Sequence, residues 1–103
     1  MSEYCIILTT TNKENAKQIA DKLVKDRLAA CVQMTGMNSV YEWKGEVCYD
    51  EEILMFIKTR EALYAKCCEV IQSIHDYEVP EILKLNIDGG NEEYLKWILM
   101  QTK

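Results

Sequence analysis

The residues that could do chemistry in this chain gather around one histidine and the short acidic segment that follows it. His75 is the only histidine, so any Ser-His-Asp or Cys-His arrangement would have to be built around it. Glu78 and Glu81 flank a proline, and their carboxylates could serve as oxygen ligands or as an acid/base pair. The same pattern is typical of a histidine at a helix C-terminus and of glutamates solvated near a turn. Both interpretations remain open from the residues alone.

A second group of candidates lies on the predicted strands. Tyr41 and Trp43 share one strand face because side chains alternate, and such aromatic residues form core or interface more often than a ligand platform. Lys58 ends an apolar strand, where its ammonium could anchor an anion or a salt bridge. The sequence contains no P-loop, dinucleotide-binding or H-E-x-x-H motif and no Cys-x-x-Cys pair. The residues therefore offer no convincing catalytic constellation.

Length and charge limit the classes of partner. The 103 residues predict a single domain over 1–103, and 12 Lys and Arg against 17 Asp and Glu give a net charge of −5. A nucleic acid or an anionic membrane surface would be repelled. We see neither a membrane-spanning apolar run nor a signal-peptide pattern, so we expect a cytoplasmic protein. Five cysteines are an odd number and are expected to stay reduced, with Cys31 buried.

Hydrophobic periodicity predicts the elements that must position these residues. A strand is expected over 4–10 and a helix over about 12–28, begun by a capping box of Thr11 and Glu14. Two β-rich runs, 31–43 and 46–58, should pair as an antiparallel hairpin. Within it, Gly45 would supply a positive φ at the turn, and Gly36 would mark a bulge.

The second half of the chain repeats the alternation of helix and strand. A helix is predicted over about 61–75 with Thr59 as its cap, a strand over 83–87, and a terminal helix opened by Asn91. The order predicts an α+β fold, a βαββαβ sandwich with an additional C-terminal helix. Because both crossover helices cover one sheet face, and the run 52–58 is apolar on both of its faces, the open face should meet another subunit.

Five segments of the chain resemble the CutA family of divalent-cation tolerance proteins. They are Leu28-Ala29-Ala30-Cys31-Val32, Ser39-Val40-Tyr41-Glu42-Trp43-Lys44-Gly45, Lys58-Thr59, His75-Asp76-Tyr77-Glu78-Val79-Pro80-Glu81-Ile82, and the segment from Asn91 to Trp97. Each motif is modest, but together they span almost the whole chain in the right order. The set is therefore specific to this family.

The resemblance implies a ferredoxin-like subunit that forms a homotrimer, is similar in architecture to PII signalling proteins, and responds to copper or other divalent ions. It places Tyr41, Trp43, Lys58 and Tyr77 at an inter-subunit cleft. No catalysis and no required cofactor are implied, although a divalent cation such as Cu or Zn could bind. The alternative is a PII-like signalling or assembly module that binds a small molecule or a partner protein in clefts between subunits.

The resemblance also predicts which side chains would hold a metal ion. Thr9 and Ile74 stand where some family members have a copper-ligating cysteine and histidine. The softer ligands that favour copper are therefore missing. We expect weak binding through His75, Glu78 and Glu81, with mixed nitrogen and oxygen ligation that suits Zn²⁺ or Cu²⁺.

Overall fold

The computed structural model describes residues 3–103, and its elements follow the predicted order. They are β1 (Tyr4–Thr11), α1 (Lys13–Lys25), β2 (Cys31–Trp43), β3 (Glu46–Arg60), a 3₁₀ turn (Glu61–Leu63), α2 (Tyr64–Ile74), β4 (Ile82–Ile87) and α3 (Glu92–Gln101). The predicted α+β class is confirmed, as is the additional C-terminal helix. Asn91 caps α3, because its side-chain oxygen accepts a hydrogen bond from the Tyr94 amide at 3.1 Å.

The four strands form one antiparallel sheet in the order β2-β3-β1-β4. This is the strand order of the split βαβ arrangement, in which β1 lies between β3 and β4. The core consists of apolar side chains from β1, β3, α1 and α2, which places both crossover helices on one sheet face. Its fully buried members include Ile7, Ile19, Leu23, Met55, Ile57 and Ile71.

Helix α1 begins and ends at other residues than the sequence predicts. Thr11 is the last residue of β1, and the cap is Asn12, whose side-chain oxygen accepts from the Asn15 amide at 2.7 Å. The predicted capping box is therefore wrong. The helix ends at Lys25 because Arg27 adopts a left-handed conformation with φ of 60°. Its guanidinium donates to the carbonyl oxygen of Met100, at 2.6 Å, which holds this conformation against α3.

Two further local predictions, the cap of α2 and the burial of Cys31, also fail. Helix α2 begins at Tyr64 after the 3₁₀ turn, and Thr59 does not cap it. Thr59 lies inside β3, and its hydroxyl donates to the Leu28 carbonyl oxygen at 2.5 Å. The predicted burial of Cys31 is wrong as well, since this thiol is partly exposed whereas Cys5 and Cys67 are buried. Cys31 pairs with Lys58 and therefore lies on the sheet face away from α1.

The β2–β3 hairpin extends beyond the sheet as a two-stranded segment, residues 37–52, which we call the ribbon. Pairing of β1 with β3 ends at Thr11 and Ile53, and beyond that point β2 and β3 pair only with each other. The register is uninterrupted at Gly36, so the predicted bulge is absent. Gly45 has the expected positive φ, 85°, at the tip. The ribbon gives the chain its longest dimension, 45 Å against 25 and 21 Å.

Apolar side chains remain uncovered on the ribbon and on the open sheet face. Val40 and Tyr49 on the ribbon are 63% and 76% exposed. Leu83 and Leu85 on β4 are about half exposed, and α3 covers only part of their sheet face, near Lys58 and Arg60. An isolated two-stranded ribbon is marginally stable in water, so this surface is the part of the chain most in need of cover.

Candidate functional site

A cleft of about 740 Å³ lies where the ribbon leaves the sheet, and we call it the acidic cleft. Strand β2 supplies one wall, β3 the floor, and the loop between α2 and β4 the opposite wall. Its lining consists of Thr10, Met37, Asn38, Ser39, Val40, Tyr41, Trp43, Asp50, Glu51, Glu52, Tyr77, Glu78, Val79 and Glu81. Strand alternation turns Tyr41, Asp50 and Glu52 toward the same face, away from α1 and α2.

Glu52 is the most deeply placed carboxylate of the acidic cleft. It is 8% exposed, and its Oε1 accepts a hydrogen bond from the Tyr77 hydroxyl at 2.9 Å. Burial, followed by this hydrogen bond, raises the pKa of Tyr77, so the phenol remains a donor. Within residues 3–103, no lysine, arginine or histidine forms an ion pair with Glu52. Glu52 is therefore a buried carboxylate without a counter-charge.

A second tyrosine and carboxylate lie beside the first pair, nearer to the ribbon tip. The Tyr41 hydroxyl donates to Asp50 Oδ2, and this hydrogen bond is the main reason why the pKa of Tyr41 is raised to about 12. Asp50, unlike Glu52, is exposed to solvent. The floor of the cleft thus carries two carboxylates, each held by a phenol, at alternate positions of one strand.

The charge of the acidic cleft is strongly unbalanced. Five of its lining side chains are carboxylates, and the described lining contains no basic side chain. At the edge, Lys44 Nζ lies 3.7 Å from Glu78 Oε2, with both side chains about 70% exposed. Such an exposed ion pair contributes little to stability and does not reach the floor. The cleft is therefore a concave surface that favours cations.

His75 lies behind the acidic cleft and does not line it. The side chain is buried, its Nε2 lies 2.6 Å from the Thr10 carbonyl oxygen, and its Nδ1 is 3.2 Å from the Tyr77 amide nitrogen. The Tyr77 amide can only donate, so Nδ1 accepts its hydrogen bond and the Nε2–H group donates to the Thr10 carbonyl oxygen. The His75 and Tyr77 rings also pack edge to face, with 4.5 Å between their centroids. His75 thus positions Tyr77.

The seven residues singled out from the sequence divide between the cleft and its surroundings. Those that line the cleft are Tyr41, Trp43, Tyr77, Glu78 and Glu81, whereas His75 and Lys58 do not. Lys58 Nζ donates to the Tyr94 hydroxyl at 3.2 Å and lies over that ring, on α3. Within the described chain, no group of three His, Cys, Asp or Glu side chains is placed to hold a metal ion. A single chain therefore does not assemble the predicted three-ligand set.

Sequence reasoning missed the floor of the cleft. Asp50 and Glu52 sit opposite Ser39 and Met37 in the hairpin register, on the same face as Tyr41. The predicted hairpin combined with side-chain alternation contained this signal, because it places 50 and 52 on that face. Thr10, by contrast, enters the site through the β1–β3 pairing, which no local pattern indicates.

The fold and the cleft define the class as a small ferredoxin-like α+β domain with an acidic, aromatic-walled cleft at the base of a long hairpin. Over residues 4–101 the chain matches the family described as CutA1 divalent ion tolerance protein. It is 43% identical over 101 residues to the divalent-cation tolerance protein CutA of Thermus thermophilus, covering 97% of this chain and 98% of that protein. The chain belongs to the CutA1 divalent ion tolerance family, as the sequence motifs predicted.

Other relatives agree with this assignment. The chloroplastic protein CutA of Arabidopsis thaliana is 41% identical over 99 residues, which cover 95% of this chain and 54% of that protein. The chain spans about half the length of the plant and animal relatives it matches. The crystal structure of CutA1 from Oryza sativa superposes with a TM-score of 0.94 at 40% identity, covering 99% of this chain and 95% of that one. Among residues 3–103, no helix is long and apolar enough to cross a membrane.

Proposed function

We propose that this chain acts in the cytoplasm as a homotrimeric divalent-cation tolerance protein that binds divalent cations in the acidic cleft, without catalysis and without a required cofactor. The observation that carries this proposal is Glu52, a carboxylate that is 8% exposed, accepts one phenol hydrogen bond and has no basic partner among the described residues. Burying a charge without compensation is costly, and a bound cation removes that cost.

The donor set indicates how such a cation would bind. The carboxylates that line the cleft are Glu78 and Glu81 on the loop and Asp50, Glu51 and Glu52 on β3. Oxygen donors suit hard and borderline divalent ions, which take them at about 2.0–2.6 Å. The carboxylates are not gathered around one point, so side chains must move to ligate an ion. We therefore expect weak binding.

Two features support the assembly and the absence of catalysis. The ribbon and the half-exposed leucines of β4 form an apolar surface that further copies of the chain would cover.

Burial raises the pKa of the Cys5 thiol to about 11 and that of the Cys67 thiol to about 12. A thiol with so high a pKa is a poor nucleophile near neutral pH.

Calorimetric titration of chelator-treated protein with Mn²⁺ and Zn²⁺ tests the cation proposal. Glu52→Gln keeps an acceptor for Tyr77 but removes the charge, and it should weaken binding by about tenfold, the loss of one charged contact. Glu69→Gln removes an equal charge on the exposed surface of α2 and should leave binding unchanged. Equal affinities in both variants would refute the cleft as the site.

The pH dependence separates carboxylate ligands from the imidazole predicted from the sequence. Imidazole ligands are lost as the pH falls below about 6.5, the ordinary pKa of histidine, whereas the ordinary pKa values of Asp and Glu are about 3.9 and 4.3. We expect nearly constant affinity between about pH 7.5 and pH 6. A steep loss over that range that disappears in His75→Ala would show that His75 leaves Tyr77 and ligates the ion.

A further inference from the structure

We propose that Arg27 acts as a clasp for α3, so that the docking of α3 and the left-handed turn after α1 form one cooperative unit. Arg27 is then a positioning residue, because it completes the end of a helix that in turn holds Lys58. The inference needs neither a bound cation nor an assembly, so it goes beyond the proposed function. It rests on the way α3 ends, on the backbone of Arg27 and on the small buried surface of α3.

The C-terminal end of α3 is completed by a residue that is distant in the sequence. The last carbonyl groups of a helix have no partner within it, and this end carries a partial negative charge. The last turn of α3, which the structure describes in full, contains no basic residue. Arg27 supplies a cation there, because its Nη2 donates to the Met100 carbonyl oxygen at 2.6 Å and its Nε to that of Gln101 at 3.3 Å. Arg27 therefore caps α3 from the turn after α1.

The backbone of Arg27 depends on the same part of the chain. Its φ of 60° lies in the left-handed region, which is unfavourable for a residue with a Cβ. Its carbonyl oxygen accepts a hydrogen bond from the Lys103 amide at 3.1 Å, so the side chain and the backbone of one residue both bind the end of the chain. Just after it, the Leu28 and Ala29 amides donate to the Leu23 carbonyl oxygen at 2.9 and 3.1 Å. The docking of α3 and this turn therefore stabilise each other.

Helix α3 buries little apolar surface of its own. Ile98 is its fully buried residue, whereas Met100 is 70% exposed. Thr102, which follows the helix, is 5% exposed. Its hydroxyl donates to the Ile98 carbonyl oxygen at 2.8 Å and accepts from Arg60 Nε at 2.8 Å. A helix with so little buried surface opens at a lower free energy than the core, so the polar contacts at its end carry a large share of its attachment.

The position of α3 also determines that of Lys58. The Tyr94 hydroxyl accepts a hydrogen bond from Lys58 Nζ at 3.2 Å, and this ammonium lies 5.3 Å from the centre of the Tyr94 ring. Opening of α3 would release Lys58 from both contacts. Arg27 thus acts on the open sheet face through one helix that has a docked and an open state.

Amide hydrogen exchange measured by NMR in Arg27→Gly tests the clasp. Glycine adopts the left-handed backbone without strain, so this substitution removes the guanidinium and keeps the turn. We expect the amides of α3 to exchange about three- to tenfold faster, the factor for one or two lost hydrogen bonds, while those of β1 stay within about twofold. Lys25→Gln removes an equal charge from the exposed end of α1 and should leave α3 unchanged. Arg27→Lys keeps the charge without the forked donor and should give an intermediate rate.

Exchange in Thr102→Val tests the coupling from the opposite end. Valine has nearly the same shape as threonine, but it lacks the hydroxyl that bonds to α3 and β3. If the docking of α3 holds the turn, the Leu28 and Ala29 amides should exchange about two- to fivefold faster, although neither belongs to α3. Ser73→Ala is the matched control, because it removes a hydroxyl that donates to the Val70 carbonyl oxygen on α2 at 2.7 Å. It should change neither α3 nor the turn.

The rates in α3, in the turn and in β1 decide the inference together. It is overturned if Arg27→Gly leaves exchange in α3 unchanged, or if Thr102→Val leaves Leu28 and Ala29 unchanged. It is also overturned if β1 accelerates as much as α3 in either variant, because α3 would then open only with the whole domain. Light scattering identifies a protein concentration at which the parent and the variants have the same mass, so that loss of assembly cannot account for faster exchange. None of these results bears on cation binding in the acidic cleft, which the metal titrations test.

Discussion

Replacing Tyr77 by phenylalanine removes one hydroxyl group and leaves the Glu52 carboxylate buried without its donor. The lost hydrogen bond is 2.9 Å long and ends on a carboxylate that is 8% exposed. Hydrogen bonds to charged groups contribute about 1.5–3 kcal/mol to the free energy of unfolding. Tyr77 itself is 38% exposed, so water can partly replace the hydroxyl. We therefore expect Tyr77→Phe to lower the free energy of unfolding by about 1–2 kcal/mol.

Denaturant unfolding at one fixed protein concentration measures this loss, because assembly would make stability depend on concentration. Tyr41→Phe is the matched control: it removes the same group, but its acceptor Asp50 is exposed, so the loss should be clearly smaller. Introducing Tyr77→Phe into a Glu52→Gln background should reduce its cost, since the acceptor is then uncharged. If Tyr77→Phe costs no more than Tyr41→Phe, burial of the acceptor does not govern the strength of these contacts.

Other parts of the molecule give three further predictions. Asn12→Ala should lower the free energy of unfolding by about 1 kcal/mol through loss of the α1 cap, whereas no loss in denaturant unfolding would mean that Asn12 does not stabilise the helix. The raised pKa of Cys67 implies that stability is complete below about pH 9, the ordinary thiol pKa, and falls as the pH rises toward about 12. Melting temperatures measured under reductant should decline less steeply with pH in Cys67→Ala than in Cys48→Ala, and equal slopes would contradict the assignment. Light scattering should give a trimer mass for the parent protein. Leu85→Glu should give a smaller mass, because it places a charge on the open sheet face. A monomer mass for the parent would contradict the proposed trimer.

The sequence predicted the kind and order of the elements because each has a strong local pattern. The errors concern positions whose conformation depends on contacts with residues that are distant in the sequence. Helix α1 ends early because Arg27 turns left-handed and binds the end of α3, far along the chain. Thr59 is of a residue type that often caps helices, but its pairing with Cys5 of β1 places it inside β3. A glycine inside a long strand, such as Gly36, is typical of a bulge, yet the β2–β3 pairing register is unbroken through it.

The cleft was only partly predictable for a similar reason. Glu78 and Glu81 stand out because they flank a proline in a short segment, while Asp50 and Glu52 become a site only through the register of two strands. The role of His75 depends on two backbone groups, the Thr10 carbonyl and the Tyr77 amide. Sequence patterns do not show backbone partners. An isolated histidine next to glutamates therefore suggests a ligand, whereas the structure shows it holding a neighbouring tyrosine in place.

The ribbon has a consequence for the dynamics of the cleft. Glu52 adjoins the three-stranded part of the sheet, but Tyr41 and Asp50 stand on strands that pair only with each other. Amide protons in such a segment exchange through local opening, at a lower free energy than those of the core strands. A cation that joins Asp50 to the loop carboxylates would suppress this opening. Binding of the cation would then slow amide exchange along the hairpin. The hairpin would become stiffer without any change in its shape.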